Sequence, residues 1–284
     1  ILILAAGQEM RIYSSANLKD WTYESSFGKG YGCHEGVWEC PDLFELPVEG
    51  KNYSKWVLVC NINPGGPAGG SATQYFTGTF DGHKFTCDTK PDVTKWADYG
   101  KDNYAGVTFD NAPDGRRIMI GWMSNWQYAN QAPTQQYRSA NTIARDLYLY
   151  TDGTTEYLAL KPSVENEKMR GKAAVKKNIS GSKTISKMFS KPRGTYEVVL
   201  TLGNDNAGNV ELVLSNTKGE NVSMMYDAAK GTLSFDRRKS GNVSFSDQFP
   251  AVSVAPVVGS KLNELRLYVD NCSVEAFANG DAGF

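Results

Sequence analysis

Short apolar runs separated by turn residues dominate the first half of the chain, and few stretches carry the periodicity of an amphipathic helix. Ile1 to Ala6 predicts a buried strand and Met10 to Ser14 a second. Ser15-Ala16-Asn17-Leu18-Lys19-Asp20-Trp21 between them and the next strand reads as a polar hairpin tip closed by an aromatic. A related pattern returns at Tyr75 to Phe85, where Asp81-Gly82 is the turn and Phe85 takes the place of Trp21. This recurrence predicts repeated four-stranded blades, because radial repetition of small sheets leaves few exposed edges. From about Gly194 the strands lengthen and alternate, as in Tyr196-Glu197-Val198-Val199-Leu200 and Leu265-Arg266-Leu267-Tyr268-Val269, and regular turn signals predict a two-sheet sandwich. The polar run Lys161 to Lys168 marks the linker. The chain is therefore expected to be all-β, with one domain over residues 1–165 and a second over 166–284.

The candidate chemistry centres on His34-Glu35-Gly36-Val37-Trp38-Glu39-Cys40-Pro41-Asp42-Leu43-Phe44. Pro41 argues against a helix and biases Cys40 towards an extended backbone, so the segment reads as a strand end turning into a loop. Alternation would put Val37, Glu39 and Pro41 on one face and Trp38 and Cys40 on the other. A carboxylate walled by Trp38 and Phe44 would be partly desolvated, which favours its protonated form and suits it to donate a proton as a general acid.

Composition narrows the classes. Lys plus Arg is 30 against 31 for Asp plus Glu, a net charge of -1, and no basic cluster is interleaved with aromatics, which argues against a nucleic-acid partner. Five cysteines, Cys33, Cys40, Cys60, Cys87 and Cys272, show no Cys-x-x-Cys spacing and read mainly as buried thiols. With only two histidines a zinc site is not expected, and neither a metal nor a cofactor is called for. No apolar run is long enough to insert into a membrane. The glycine-rich segment Asn61 to Ser71 lacks a following amphipathic helix and a Gly-Lys-Ser/Thr ending, so it does not read as a phosphate loop. It marks instead a place where the backbone approaches a ligand or another blade. Arg138 and Arg145 read as structural ion partners.

Trp38-Glu39-Cys40-Pro41-Asp42-Leu43-Phe44-Glu45-Leu46 resembles the acid/base motif of glycoside hydrolase family 32, the β-fructofuranosidases that include invertases, inulinases and levanases. The resemblance puts the proton-donating role on Glu39. Asn63-Pro64-Gly65-Gly66 is similar to family text just after the acid/base strand, and it makes Asn63 a sugar hydroxyl contact. Asp98-Tyr99-Gly100-Lys101-Asp102-Asn103-Tyr104-Ala105 looks like an Asp-x-Gly-x-Asp-Phe-Tyr-Ala segment, with Asn103 where an aromatic is usual. It offers Asp98 and Lys101 to sugar hydroxyls. Gly121-Trp122-Met123-Ser124-Asn125-Trp126 also resembles the family, in which an aromatic of this segment helps form the fructose pocket; Trp122 and Trp126 both remain open for that part. Val269 to Asn279 is similar to the sandwich signature.

The resemblance implies a five-bladed β-propeller, here lacking one or more N-terminal blades, followed by a β-sandwich whose role is structural. It implies a retaining hydrolase acting on levan, inulin or sucrose, working outside the cell, in a periplasm or at a cell surface. The attacking Asp of the family lies in Trp-Met-Asn-Asp-Pro-Asn-Gly and a stabilising Asp in Arg-Asp-Pro. Neither motif occurs in the sequence; both are expected upstream of Ile1, and the chain alone is expected to be inactive. Asp42 stands too close along the chain to face Glu39 across a sugar. A fructosyltransferase and a non-catalytic carbohydrate-binding protein are the alternative readings.

Overall fold

Trp56-Val57-Leu58-Val59-Cys60 is an apolar run without polar alternation, and such a strand must be covered on both faces. In the computed structural model, which describes residues 1–184, 194–203, 208–280 and 282–283, it is the middle of such a strand. Three antiparallel sheets make up the first part of the chain. The first has the order β1 (Leu2–Ala5), β2 (Met10–Ser14), β3 (Thr22–Phe27). The second runs β4 (Val37–Pro47), β5 (Ser54–Asn63), β6 (Ala72–Phe80), β7 (Phe85–Cys87), with β8 (Lys95–Trp96) also on β6. The third runs β11 (Ala140–Asn141), β10 (Ile118–Met123), β12 (Arg145–Thr151), β13 (Glu156–Pro162), with β9 (Tyr104–Phe109) also on β10.

These sheets are stacked face to face as blades, and β5 shows why. Leu58, Cys60 and Ile62 pack with Met10, Ile12, Phe27, Trp38, Phe76 and Phe85 of the first two sheets. Val57 and Val59, on the other face, pack with Met119, Leu147, Leu149, Leu158 and Leu160 of the third. Each fully buried aliphatic side chain contributes about 1.5–3 kcal/mol, so the middle sheet is held from both sides. The expected burial of β1 is only half met. It pairs with β2 alone, Ile3 and Ala5 pack, and Leu2 and Leu4 remain 40 % and 47 % exposed. The two hairpins predicted from Trp21 and Phe85 both form, but only Phe85 enters the core, 5.1 Å from Phe27 between ring centres. Among the cysteines only Cys60 is buried; Cys40 and Cys272 are exposed and all five thiols are free.

The second part of the chain is the sandwich. One sheet has the order β14 (Tyr196–Thr201), β19 (Glu264–Val269), β20 (Val274–Ala278), β21 (Ala282–Gly283). The other has β15 (Val210–Ser215), β16 (Asn221–Asp227), β17 (Thr232–Lys239), β18 (Val252–Pro256). Leu212, Met224, Leu233, Leu265, Leu267 and Ala276 form the core between them. The connection after β13 is pinned at its start: the Ser163 hydroxyl donates to Asp146 and the Asn166 amide to the Ser163 carbonyl, 2.9 Å.

Candidate active site

The strand carrying Glu39 does not end at Pro41. β4 continues to Pro47, and between Glu39, opposite Asn61, and Asp42, opposite Val59, the register slips, so that Cys40 and Pro41 together oppose Cys60. A β-bulge of this kind leaves a residue out of the ladder, so the missing amide of Pro41 costs little there. Cys40 has φ of 44°, and the alternation expected across the segment is broken. Trp38 turns into the core, 1 % exposed, against Phe76 and His34. Glu39 and Cys40 both face outwards.

The aromatic wall expected around Glu39 is therefore not built from Trp38 and Phe44. Phe44 lies in the opposite core beneath the Arg117 guanidinium, 4.5 Å from its ring centre. The neighbour of Glu39 is Tyr104, the first residue of β9, whose hydroxyl donates to Glu39 Oε2. Asp42 is turned away to Arg117, 3.1 Å, and to the Thr108 hydroxyl.

Asn61 ties the two strands together. It is wholly buried in β5; its Nδ2 donates to the Cys40 carbonyl at 3.2 Å and the Gly106 carbonyl at 3.4 Å. Its Oδ1 accepts from the Thr73 hydroxyl at 2.6 Å and the Gly106 amide at 3.2 Å. One side chain thus fixes the bulge beside Glu39 and the β9 backbone beside Tyr104. Asn61→Ala is expected to destabilise the fold by about 2–3 kcal/mol, since buried groups on three strands lose their partner. Urea unfolding of the parent and the variant measures it.

An aromatic strip continues from Tyr104. The Trp122 ring lies 6.3 Å from it and the Trp126 ring 5.0 Å further on; the Trp122 indole N–H donates to the Ser139 hydroxyl. The Trp126 amide donates to Ser71 Oγ at 3.1 Å, and that hydroxyl donates to Asn63 Oδ1 at 3.0 Å. Glu39, Trp122, Trp126 and Asn63 are therefore joined by a run of contacts along one rim. The glycine-rich loop behind Asn63 meets another blade: a Cβ on Gly70, whose φ is +75°, would lie 2.1 Å from Asn125 Oδ1. Trp126 is 52 % exposed at the end of this strip. If Trp126 lines the fructose pocket, as the resemblance implies, Trp126→Ala in the full-length protein is expected to lower kcat/KM about tenfold, through KM, as the loss of one aromatic contact worth about 1–1.5 kcal/mol requires. Steady-state kinetics tests it.

Asp98 and Lys101 do not join this rim. Asp98, 2 % exposed, faces Arg145 at 2.5 Å, accepts from the Gly100 amide at 2.7 Å and from Asn103 Nδ2 at 3.1 Å. Arg145 turns its other nitrogen to Glu275 of the sandwich at 2.8 Å. Burial works against the Arg145 charge, and the two carboxylates overcome it and hold the guanidinium pKa above its ordinary value. Lys101 donates to Gln127 at 2.7 Å and to the Gln248 carbonyl of the sandwich at 2.9 Å. Its burial, with Arg237 nearby, lowers its pKa. The sugar contacts expected of these two side chains are replaced by bonds within the protein, Asp98 to Arg145 inside the first domain and Lys101 across to the sandwich, because both are buried and their polar atoms are already satisfied. Of the two predicted structural arginines, Arg145 has carboxylate partners, whereas Arg138 donates to the Ala132 carbonyl.

An outward carboxylate with one oxygen held by a phenol, beside a strip of indoles, is able to exchange a proton with a hydroxylated ring laid on that strip. Comparison with known proteins places the chain as a whole. Residues 1–162 match the model of the glycosyl hydrolases family 32 N-terminal domain, and residues 165–283 the family 32 C-terminal model. The chain belongs to glycosyl hydrolase family 32. A levanase of Bacillus subtilis (strain 168) is 41 % identical over 98 % of this family 32 chain and 42 % of its own length. The crystal structure of exo-inulinase from Aspergillus awamori superposes with a TM-score of 0.80 at 32 % identity, over 99 % of this chain and 57 % of that one. A β-fructofuranosidase from Schwanniomyces occidentalis, complexed with fructosyl-erythritol, gives 0.76 at 28 % identity, over 99 % and 60 %. The family 32 chain thus spans about half the length of the relatives it matches, and its stacked sheets and sandwich are those of the family's propeller-and-sandwich fold, without closure of the propeller within the described residues.

Proposed function

We propose that this chain supplies the acid/base side of a retaining β-fructosidase that releases fructose from levan, inulin or sucrose. The observation that carries the reading is Glu39: an exposed family 32 carboxylate next to a bulge, one oxygen bonded to Tyr104 and the aromatic rim alongside. Glu39 protonates the leaving oxygen as its bond to the anomeric carbon of fructose breaks, and a carboxylate takes that carbon. Water then resolves the fructosyl ester, giving its proton to Glu39. Such a double displacement needs the two carboxyl groups about 5–5.5 Å apart. Asp42 is held by Arg117 and Thr108, so it is not assigned as the attacking carboxylate.

Names of relatives support the substrate class, a levanase and extracellular exo-inulinases among them. The names of the exo-inulinases support an extracellular site of action, and no described helix is long and apolar enough to cross a membrane. The test is to incubate the full-length protein with levan, inulin and sucrose and to follow the products. Free fructose from at least one supports the reading. Fructosylated acceptors in its place would make the protein a transferase, and no cleavage of any of the three would overturn it.

A further inference from the structure

Tyr104 is 3 % exposed, yet its hydroxyl reaches the outward-facing carboxylate of Glu39 from the neighbouring blade. Both ends of this contact are fixed by the same buried amide, since Asn61 holds the carbonyl of Cys40 next to Glu39 and both backbone groups of Gly106 two residues from Tyr104. We propose that Tyr104 is a positioning residue that reserves Oε2 of Glu39 as an acceptor, so that the proton exchanged with the fructoside sits on Oε1. The inference rests on the acid/base reading of Glu39 given above.

The chemistry follows from the donor and acceptor inventory. A protonated carboxyl has one O–H and one bare oxygen, and a phenol that donates to Oε2 leaves Oε1 as the oxygen that carries the proton. Burial, and then the hydrogen bond to Glu39, push the Tyr104 phenol pKa upwards, so the hydroxyl remains a donor wherever the enzyme works. When Oε1 has given up its proton, the same bond is charge-assisted and stabilises the carboxylate that must later accept a proton from water. Tyr104 thereby serves both half-reactions without touching substrate. The other titratable groups about Glu39 are thiols, Cys40 beside it on β4 and Cys60 behind it on β5; partial desolvation and then the Glu39 charge push Cys40 up, and deep burial pushes Cys60 up, so both stay neutral. Asp42 of β4 faces Arg117.

Tyr104→Phe removes one oxygen and keeps the ring. A donated hydrogen bond favours the ionised carboxylate, so its loss lets the acid form persist to higher pH. In the full-length enzyme with sucrose, the alkaline limb of kcat/KM is expected to move up in pH. The kcat is expected to fall about tenfold, the effect of one hydrogen bond to a charged group, with KM little changed. Fluorotyrosine incorporated at position 104 strengthens the donor without changing the packing, and is expected to move the limb down. A parental profile in both proteins, or a lower kcat with an unmoved limb, would overturn the positioning role. Glu39→Gln, assayed alongside, separates the two claims: if it remains active, the acid/base reading itself fails, whereas an inactive Glu39→Gln with a parental Tyr104→Phe removes only Tyr104.

Discussion

Glu39→Gln in the full-length enzyme is expected to lower kcat on sucrose or levan by about 10²–10⁴-fold, the usual contribution of a positioned general acid. The loss should depend on the leaving group. Fructosyl fluoride loses fluoride without needing a proton donor, so its first step should be nearly spared, while a substrate with a sugar alkoxide as leaving group should suffer in full. Stability should change little, because Glu39 faces outwards and the β4 ladder around it does not use its side chain. Kinetics with the two substrates, together with thermal unfolding, checks each part. Parental activity on sucrose would remove Glu39 from the mechanism.

The second large effect is on stability. Asp98→Ala leaves Arg145, 2 % exposed, facing Glu275 alone, and one of its buried nitrogens loses its partner. Breaking a buried charge pair by removing one member typically costs about 3–5 kcal/mol, because the remaining ion is stranded without water. A loss of that order is expected in urea unfolding. Asp98→Asn should recover part of it by keeping a hydrogen-bond acceptor in place. If Asp98→Ala unfolds like the parent but weakens sucrose binding, the sugar-contact reading of Asp98 would return.

The contrast between Glu39 and Asp98 shows what a sequence discloses. Glu39 sits in a dense run of unusual residue types and could be singled out from that run, although the aromatic wall read around it from Trp38 and Phe44 is not the one the fold supplies. Asp98 and Lys101 lie in an equally suggestive segment, but a buried ion partner and a sugar hydroxyl ask for the same residue types. Asp98 and Arg145 stand 47 positions apart, and nothing local announces that they meet. Tyr104 went unnoticed for the same reason, being 65 positions from Glu39 and joined to it only by the stacking of blades.

Asn61 had left a trace: it is the lone amide in the apolar run Trp56 to Ile62, and an isolated polar residue in a strand buried on both faces needs a partner. The bulge could not be read, because Pro41 excludes a regular ladder but does not choose between ending the strand and kinking it. The alternating runs between regular turn signals were enough for the all-β class and the sandwich, but the expected lengthening of strands after Gly194 is reversed: β4 has 11 residues and β5 10, against 8 in β17, the longest described sandwich strand. How far β1 would be covered depended on its neighbours, and Leu2 and Leu4 show that periodicity alone does not settle it.

The bonds that cross from Arg145, Lys101 and Asp102 to Glu275, Gln248 and Arg237 bear on how such proteins are recombined. Anyone grafting the C-terminal module of one homologue onto the N-terminal module of another must carry the matching acidic and basic positions across the joint as a set. A chimera that honours the 162–165 seam yet mismatches these ions would leave charges stranded at its centre, a fault invisible in an alignment of either half.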